Sequence, residues 1–146
     1  MKIQVLILSV GICLLSACSG GYEQVPIDAI DQTELAKAEA LALKILRGCE
    51  TGAFPTLTTA EATLTIIDGL TEARQQEACN FLKGKYGTFL ELTIGEVLQT
   101  AETADFRIYR FKGTFQDTDD LAEVRVTLDK NGKMSGLWTM PWIDRL

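Results

Sequence analysis

The chain has 146 residues, with 14 Lys and Arg against 20 Asp and Glu, no histidine, and a pI near 4.7. Without histidine there is no Ser-His-Asp triad, no Cys-His dyad and no histidine-ligated zinc. The acidic balance argues against a nucleic-acid partner, which needs Lys and Arg to neutralise phosphates. At 47% hydrophobic the sequence suits one packed domain rather than an acidic disordered chain. Lys2 opens a short basic region, and Val5 to Leu15 form an apolar run broken only by Ser9 and Gly11. That run is shorter than the ~20 residues a membrane-spanning helix needs. It matches the apolar core of a signal peptide and is set aside from the fold.

Leu15-Ser16-Ala17-Cys18 follows at once. An aliphatic residue, two small residues and a cysteine resemble the bacterial lipobox. The resemblance implies a signal peptide over 1–17, cleavage before Cys18, and a diacylglyceryl group on the Cys18 thiol. A plain secretory signal with an incidental cysteine is the alternative. Losing Lys2 moves the net charge from -6 to -7. Acyl chains, not basic patches, must then hold the protein to a membrane, at about 0.8 kcal/mol per buried CH₂ and with more than one chain. Ser19 after the cysteine resembles the outer-membrane sorting preference of enteric-type bacteria, which places the domain on the periplasmic side if the host has such a membrane.

After cleavage Cys49 and Cys79 remain beside the lipidated Cys18. In an oxidising compartment such a pair reads as one disulfide. It would close a loop of about 30 residues and stabilise by roughly 3–4 kcal/mol. Two separate buried thiols are the alternative. Two cysteines so far apart, without histidine, make a poor metal site.

Residues 18–31 read as a tether, and 32–146 as the domain. Asp31 or Thr33 can cap a helix. Leu35, Ala38, Ala42, Ile45 and Cys49 then share one face to about residue 50. Thr58-Thr59-Ala60-Glu61 fits a capping box, so a short helix is expected before Asp68-Gly69, although Thr63 to Ile67 is strand-like in composition. Another helix is expected from Leu70 or Thr71 to Lys83, with Leu70, Ala73, Ala78, Phe81 and Leu82 on its apolar side and Gly84 at its end. Beyond Tyr86-Gly87 the period becomes strand-like. Thr88–Leu98 is expected to hold Leu90, Leu92 and Ile94 on one face. Asp105–Phe115 switches parity, which implies a bulge or burial on both faces. Ala122–Asp129 alternates Val124, Val126 and Leu128 with Glu123, Arg125 and Thr127. Asp129-Lys130-Asn131-Gly132 signals a hairpin into Lys133–Thr139. The expected class is α+β: two to three N-terminal helices packed on a curved four-stranded antiparallel sheet.

Tyr86-Gly87-Thr88-Phe89, Tyr109-Arg110-Phe111-Lys112-Gly113, Glu123-Val124-Arg125-Val126 and Gly136-Leu137-Trp138 resemble the nuclear transport factor 2-like superfamily. Over Leu35 to Trp142 the chain is similar to its secreted bacterial members. The resemblance implies a bent sheet wrapped round helices as a cone, often with a pocket. Its members include lyases and isomerases that use an Asp/His or Asp/Tyr pair, and non-catalytic binding or dimerisation modules. Only an Asp/Tyr arrangement is available here, with Tyr86 or Tyr109 as phenol and Asp105 as an unmarked acid. Turn and strand-end roles fit these residues as well. Arg107, Arg110 and Arg125 either line a pocket for an acidic ligand or pair with cross-strand carboxylates on the wet face. Trp138 and Trp142 either wall a ligand or dimer site or close the core. Asp117, Asp119 and Asp120 fail the calcium-loop pattern, because Ala122 and Leu128 stand where Gly and Glu are needed.

The resulting expectation is a lipid-anchored envelope protein with a non-catalytic ligand-binding or assembly domain. Its pocket candidates are Tyr86, Tyr109, Arg107, Trp138 and Trp142. The membrane is its partner through Cys18, a small-molecule or protein partner and a homodimer face are open, and no metal, cofactor or catalytic residue is assigned. The alternative is a lyase or isomerase working through an Asp/Tyr pair.

Overall fold

The computed structural model describes residues 21–144. The expected signal peptide, Cys18 and Ser19 lie outside them. The chain runs β1 (Tyr22–Gln24), a 3-10 turn (Ile27–Ala29), α1 (Gln32–Thr51), α2 (Leu64–Gly69), α3 (Glu72–Tyr86), β2 (Phe89–Thr100), β3 (Phe106–Phe115), β4 (Thr118–Asp129) and β5 (Met134–Pro141). The class is α+β. Three helices accompany one open antiparallel sheet in the order β1-β2-β3-β4-β5. The sheet has five strands, not four. The extra one is β1, inside the expected tether: Tyr22 pairs with Thr100, Glu23 with Gln99 and Gln24 with Leu98. Three residues without alternation leave no periodic signal.

Helix α1 follows its sequence. Asp31 Oδ1 accepts from the N–H groups of Thr33 (2.8 Å) and Glu34 (3.1 Å), which satisfies two of the four orphan donors of the first turn. Gly52 ends the helix at φ +72°, a backbone shape that costs other residues more. Ala38, Leu41, Ala42, Ile45 and Leu46 form the buried stripe. They meet Tyr109, Phe111, Val124, Val126 and Leu128 on the inner sheet face. Each large apolar side chain so buried contributes about 1.5–3 kcal/mol.

Half of the capping box forms, and it caps no helix. Glu61 Oε2 accepts from Thr58 N–H (2.8 Å) and Oγ1 (3.0 Å). The chain then bridges β5: Met134 N–H donates to the Glu61 carbonyl (2.9 Å) and Thr63 N–H to the Met134 carbonyl (3.0 Å). Helix α2 begins only at Leu64. The bridge covers part of an otherwise open sheet edge.

Helix α3 differs from expectation in its face and its end. Gln75, Cys79, Leu82 and Tyr86 are buried, whereas Ala73, Ala78 and Phe81 are exposed. The buried positions are spaced four, three and four, but one of them is polar, so apolar counting selects the wrong face. Gly84 sits inside the helix. The helix stops at Gly87, φ +86°, where a Cβ would come within 2.5 Å of the Asp117 carboxylate.

Leu90, Leu92 and Ile94 do not share a buried face in β2. Register shifts fall between Phe89 and Glu91 and between Ile94 and Glu96. Leu92, Val97 and Leu98 are buried, while Leu90 and Ile94 are exposed. In β3 four consecutive residues, Ile108 to Phe111, are buried, so both faces of this central strand are covered, as its mixed parity implied. In the hairpin after β4, Asp129 Oδ1 accepts from Asn131 and Lys133 N–H (both 2.9 Å), and Gly132 takes φ +68°.

Candidate functional site

An apolar hollow of about 130 Å³ lies between α1, α3 and the inner face of β4–β5, with Ile45, Leu46, Leu82, Val124 and Leu137 in its wall. Cys49, near the end of α1, and Cys79, in the middle of α3, are joined by a disulfide with Cα atoms 5.1 Å apart. Both also line the hollow. The size is close to the ~150 Å³ of an engineered cavity that admits benzene. Thr139 and Gln75 interrupt the apolar wall. Gln75 is 4% exposed. Its Nε2 donates to the Leu70 carbonyl (3.0 Å) and the Pro55 carbonyl (3.2 Å). Two carbonyls fix which end of the amide carries the nitrogen, and Oε1 is left buried with no protein donor. Such an orphan acceptor costs about 1–3 kcal/mol. Gln75 also lines a neighbouring hollow of about 240 Å³ with Pro55, Leu57, Ile67 and Thr71.

A third hollow, of about 200 Å³, sits at the N-terminal end of α1 beside Glu34, Arg107, Tyr109 and Gln99. Arg107 Nη2 donates to Glu34 Oε1 (2.5 Å), its Nε lies 2.5 Å from Oε2, and the Tyr109 hydroxyl donates to Oε2 (3.1 Å). Burial, then the adjacent Glu34 carboxylate, push the Tyr109 phenol well above its ordinary range, so it stays neutral. Burial works against the Arg107 charge, but the bonds to Glu34 outweigh it and hold the guanidinium protonated. The cluster clamps the start of α1 to β3.

The outer face of the sheet carries a buried ionic cluster. The side chains of Arg110 and Glu123 are fully buried, and Arg110 Nη2 donates to Glu123 Oε2 (2.6 Å). Arg110 also bonds Glu96 and donates to the Ile143 carbonyl (2.7 Å). Arg125 Nε donates to Glu123 Oε1 (2.6 Å). Burial pushes the Glu123 carboxyl up, but the bonds from Arg110 and Arg125 win and hold it below the usual range. Of the three arginines expected in cross-strand pairs only Arg110 makes them, and not on a wet face; Arg125 pairs within its own strand and Arg107 pairs with α1. The segment after β5 folds back and seats Trp142 over it, 4.5 Å from Arg110 Cζ to the ring centre, with Lys112 Nζ at 4.8 Å. Gly95 makes room, since a Cβ there would lie 2.3 Å from the indole.

The five pocket candidates therefore do not line one site. Arg107 and Tyr109 meet at the start of α1. Tyr86 packs 5.3 Å from the Phe115 ring at the end of α3, its hydroxyl buried without a protein partner. Trp142 lies on the outer face, and these two share a shallow hollow of about 440 Å³ with Lys85, Asp119 and Leu121. Trp138 borders the apolar hollow, its ring over Gly136. Asp105 stands just before β3 and bonds neither phenol. Gln75 and Glu34 were missed. Gln75 is detectable only by asking which residue completes the 75–79–82–86 face. Glu34 meets Arg107 across 73 residues of sequence, a distance no local pattern spans. The chain matches no protein-family model, no curated protein and no solved structure.

Proposed function

We propose that this chain is a lipid-anchored envelope protein whose nuclear transport factor 2-like domain holds a small, mainly apolar molecule without transforming it. The observation that carries the reading is the buried, unpartnered Gln75 Oε1 among apolar walls. A ligand with an apolar body and one hydrogen-bond donor answers both features. The disulfide suits an oxidising compartment, and the lipobox at Leu15 to Cys18 supplies the anchor. Phenol, tested against its isostere toluene, is a suitable probe. Phenol at a hundred times its Kd should stabilise the fold by about 2.7 kcal/mol, toluene should bind more weakly, and Ala78→Trp, at the exposed rim of the hollow, should block both by closing its mouth. Absence of saturable binding, or unchanged binding in Ala78→Trp, overturns the reading. Cys18→Ala should release the protein from membranes, and unchanged fractionation would remove the anchor.

A second reading rests on Glu34, a carboxylate within reach of the Tyr109 phenol, the pairing that a superfamily-type lyase or isomerase would use. It is the weaker reading. Arg107 contacts both oxygens of Glu34, so a proton-accepting carboxylate is available only after that ion pair opens.

A further inference from the structure

The tether expected over residues 18–31 is long enough to lift the domain clear of the head groups. The fold shortens it. Ala101 N–H donates to the Gly21 carbonyl (3.1 Å), and Val25 N–H to the Val97 carbonyl (2.8 Å), with the β1 ladder between them. Gly21 is thus fixed beside the turn that joins β2 to β3. From Cys18 to Gly21 the backbone reaches at most ~11 Å. If the Cys18 sulfur carries glyceryl-linked acyl chains, this end of the sheet stands at the head-group layer.

The same end presents aromatic rings. Tyr22 is 60% exposed and Phe106 is 43% exposed. Gln99 and Arg107 pair across β2 and β3 and face α1, so their neighbours Thr100 and Phe106 face the opposite side. Tyr22 pairs with Thr100 and shares that side. Tyr22 and Phe106 therefore flank Thr100 on the outer face, on either side of the anchored turn. Aromatic rings favour the boundary between lipid and water. Glu102 and Asp105 in the turn, and Asp129 opposite Phe106, oppose an anionic surface, so the charge here fits a mainly zwitterionic leaflet.

We infer that the domain does not swing on a free leash but rests on its own bilayer through this end of the sheet, with Tyr22 and Phe106 seated at the head-group level. The inference rests on the anchored reading above. Its occupant is the lipid surface that holds Cys18. The start of α1 lies near this end, clamped through Glu34 to Arg107, whereas the far end of α1, the apolar hollow and Trp138 stand away from the lipid. Trp138 pairs with Arg125, four residues along β4 from the partner of Phe106, about 13 Å higher up the sheet.

The test uses the full lipidated protein in vesicles of phosphatidylethanolamine and phosphatidylglycerol, 3:1, with and without bromine on the acyl chains near the glycerol. Bromine quenches tryptophan only near contact. The native protein, with Trp138 and Trp142 as its fluorophores, should lose less than about one fifth of its emission. Phe106→Trp, and independently Tyr22→Trp, should each add a fluorophore whose emission falls at least about twofold. Added tryptophans in both variants quenched no more than the native pair, in protein that floats with the vesicles, overturn the resting geometry and leave the anchor intact. Protein that does not float, or whose intact mass lacks the diacylglyceryl group, overturns the anchor and the inference with it.

Discussion

Replacing Arg110 with methionine tests the ionic cluster on the outer face. The substitution removes the bonds to Glu96, Glu123 and the Ile143 carbonyl, together with the cation beneath Trp142. Glu123 stays fully buried, with only Arg125 Nε to meet its charge. Leaving one charge of a buried pair uncompensated costs about 3–5 kcal/mol. The lost bonds share partners, so their separate values do not add. At about 3–5 °C per kcal/mol for a domain of this size, the melting temperature should drop by about 10–20 °C. Arg125→Met is the internal control. That side chain is partly exposed, and its removal leaves Glu123 bound to Arg110, so the loss should be about 1.5–3 kcal/mol, less than for Arg110→Met. Urea unfolding of both variants, followed by circular dichroism, gives the two values. Tryptophan emission reports separately whether Trp142 leaves its seat. A cost for Arg110→Met below about 1 kcal/mol, or no larger than that of Arg125→Met, would refute the reasoning.

The Cys49–Cys79 bond closes a 30-residue loop, so the double replacement Cys49→Ser with Cys79→Ser should lower stability by about 3–4 kcal/mol; mass spectrometry that finds two free thiols in the native protein would remove the bridge. The Glu123 carboxyl titrates below its ordinary value in the fold, so the unfolded chain takes up the proton first as acid is added. Its contribution is complete above about pH 5 and disappears as pH falls below about 4. Thermal melts from pH 7 to pH 3 should therefore decline more gently in Glu123→Gln than in the native protein, and parallel curves would contradict the assignment.

Where one face of an element is apolar and the other polar, the sequence is transparent. Helix α1, strand β4 and the Asp129–Gly132 hairpin all show this, because a single period and a single turn residue decide each of them. Legibility fails where a polar residue takes a buried position or the period slips. Gln75 occupies the inner face of α3 while Phe81 points to water, so the apolar count favours the wrong side. In β2 a bulge at Leu90 breaks the register before Leu92, and Ile94, although it shares the face of Leu92 opposite Phe111, stays exposed, so alternation alone does not report burial. The Thr58–Glu61 contact is half of a capping box, and a bridge to Met134 diverts the chain before a helix can start. The cysteine pair at the hollow was visible from compartment and count. The amide that gives the hollow its polarity was not, because its two partners, Pro55 and Leu70, lie in irregular backbone whose path depends on the finished fold.

The three-residue pairing of β1 also decides what happens when the N-terminus is pulled. Tension arriving at Gly21 along the strand meets only a short run of interstrand bonds to β2, loaded together but few in number. Once they release, the load passes to α1 and begins to unwind it. At Cys49 the unravelling halts, because the bridge to Cys79 diverts the force into α3 and past the intervening loop. The domain thus has a compliant lead and a covalent stop, so drag on the N-terminal end can draw out the first part of the chain while the meander from β2 to β5 stays folded.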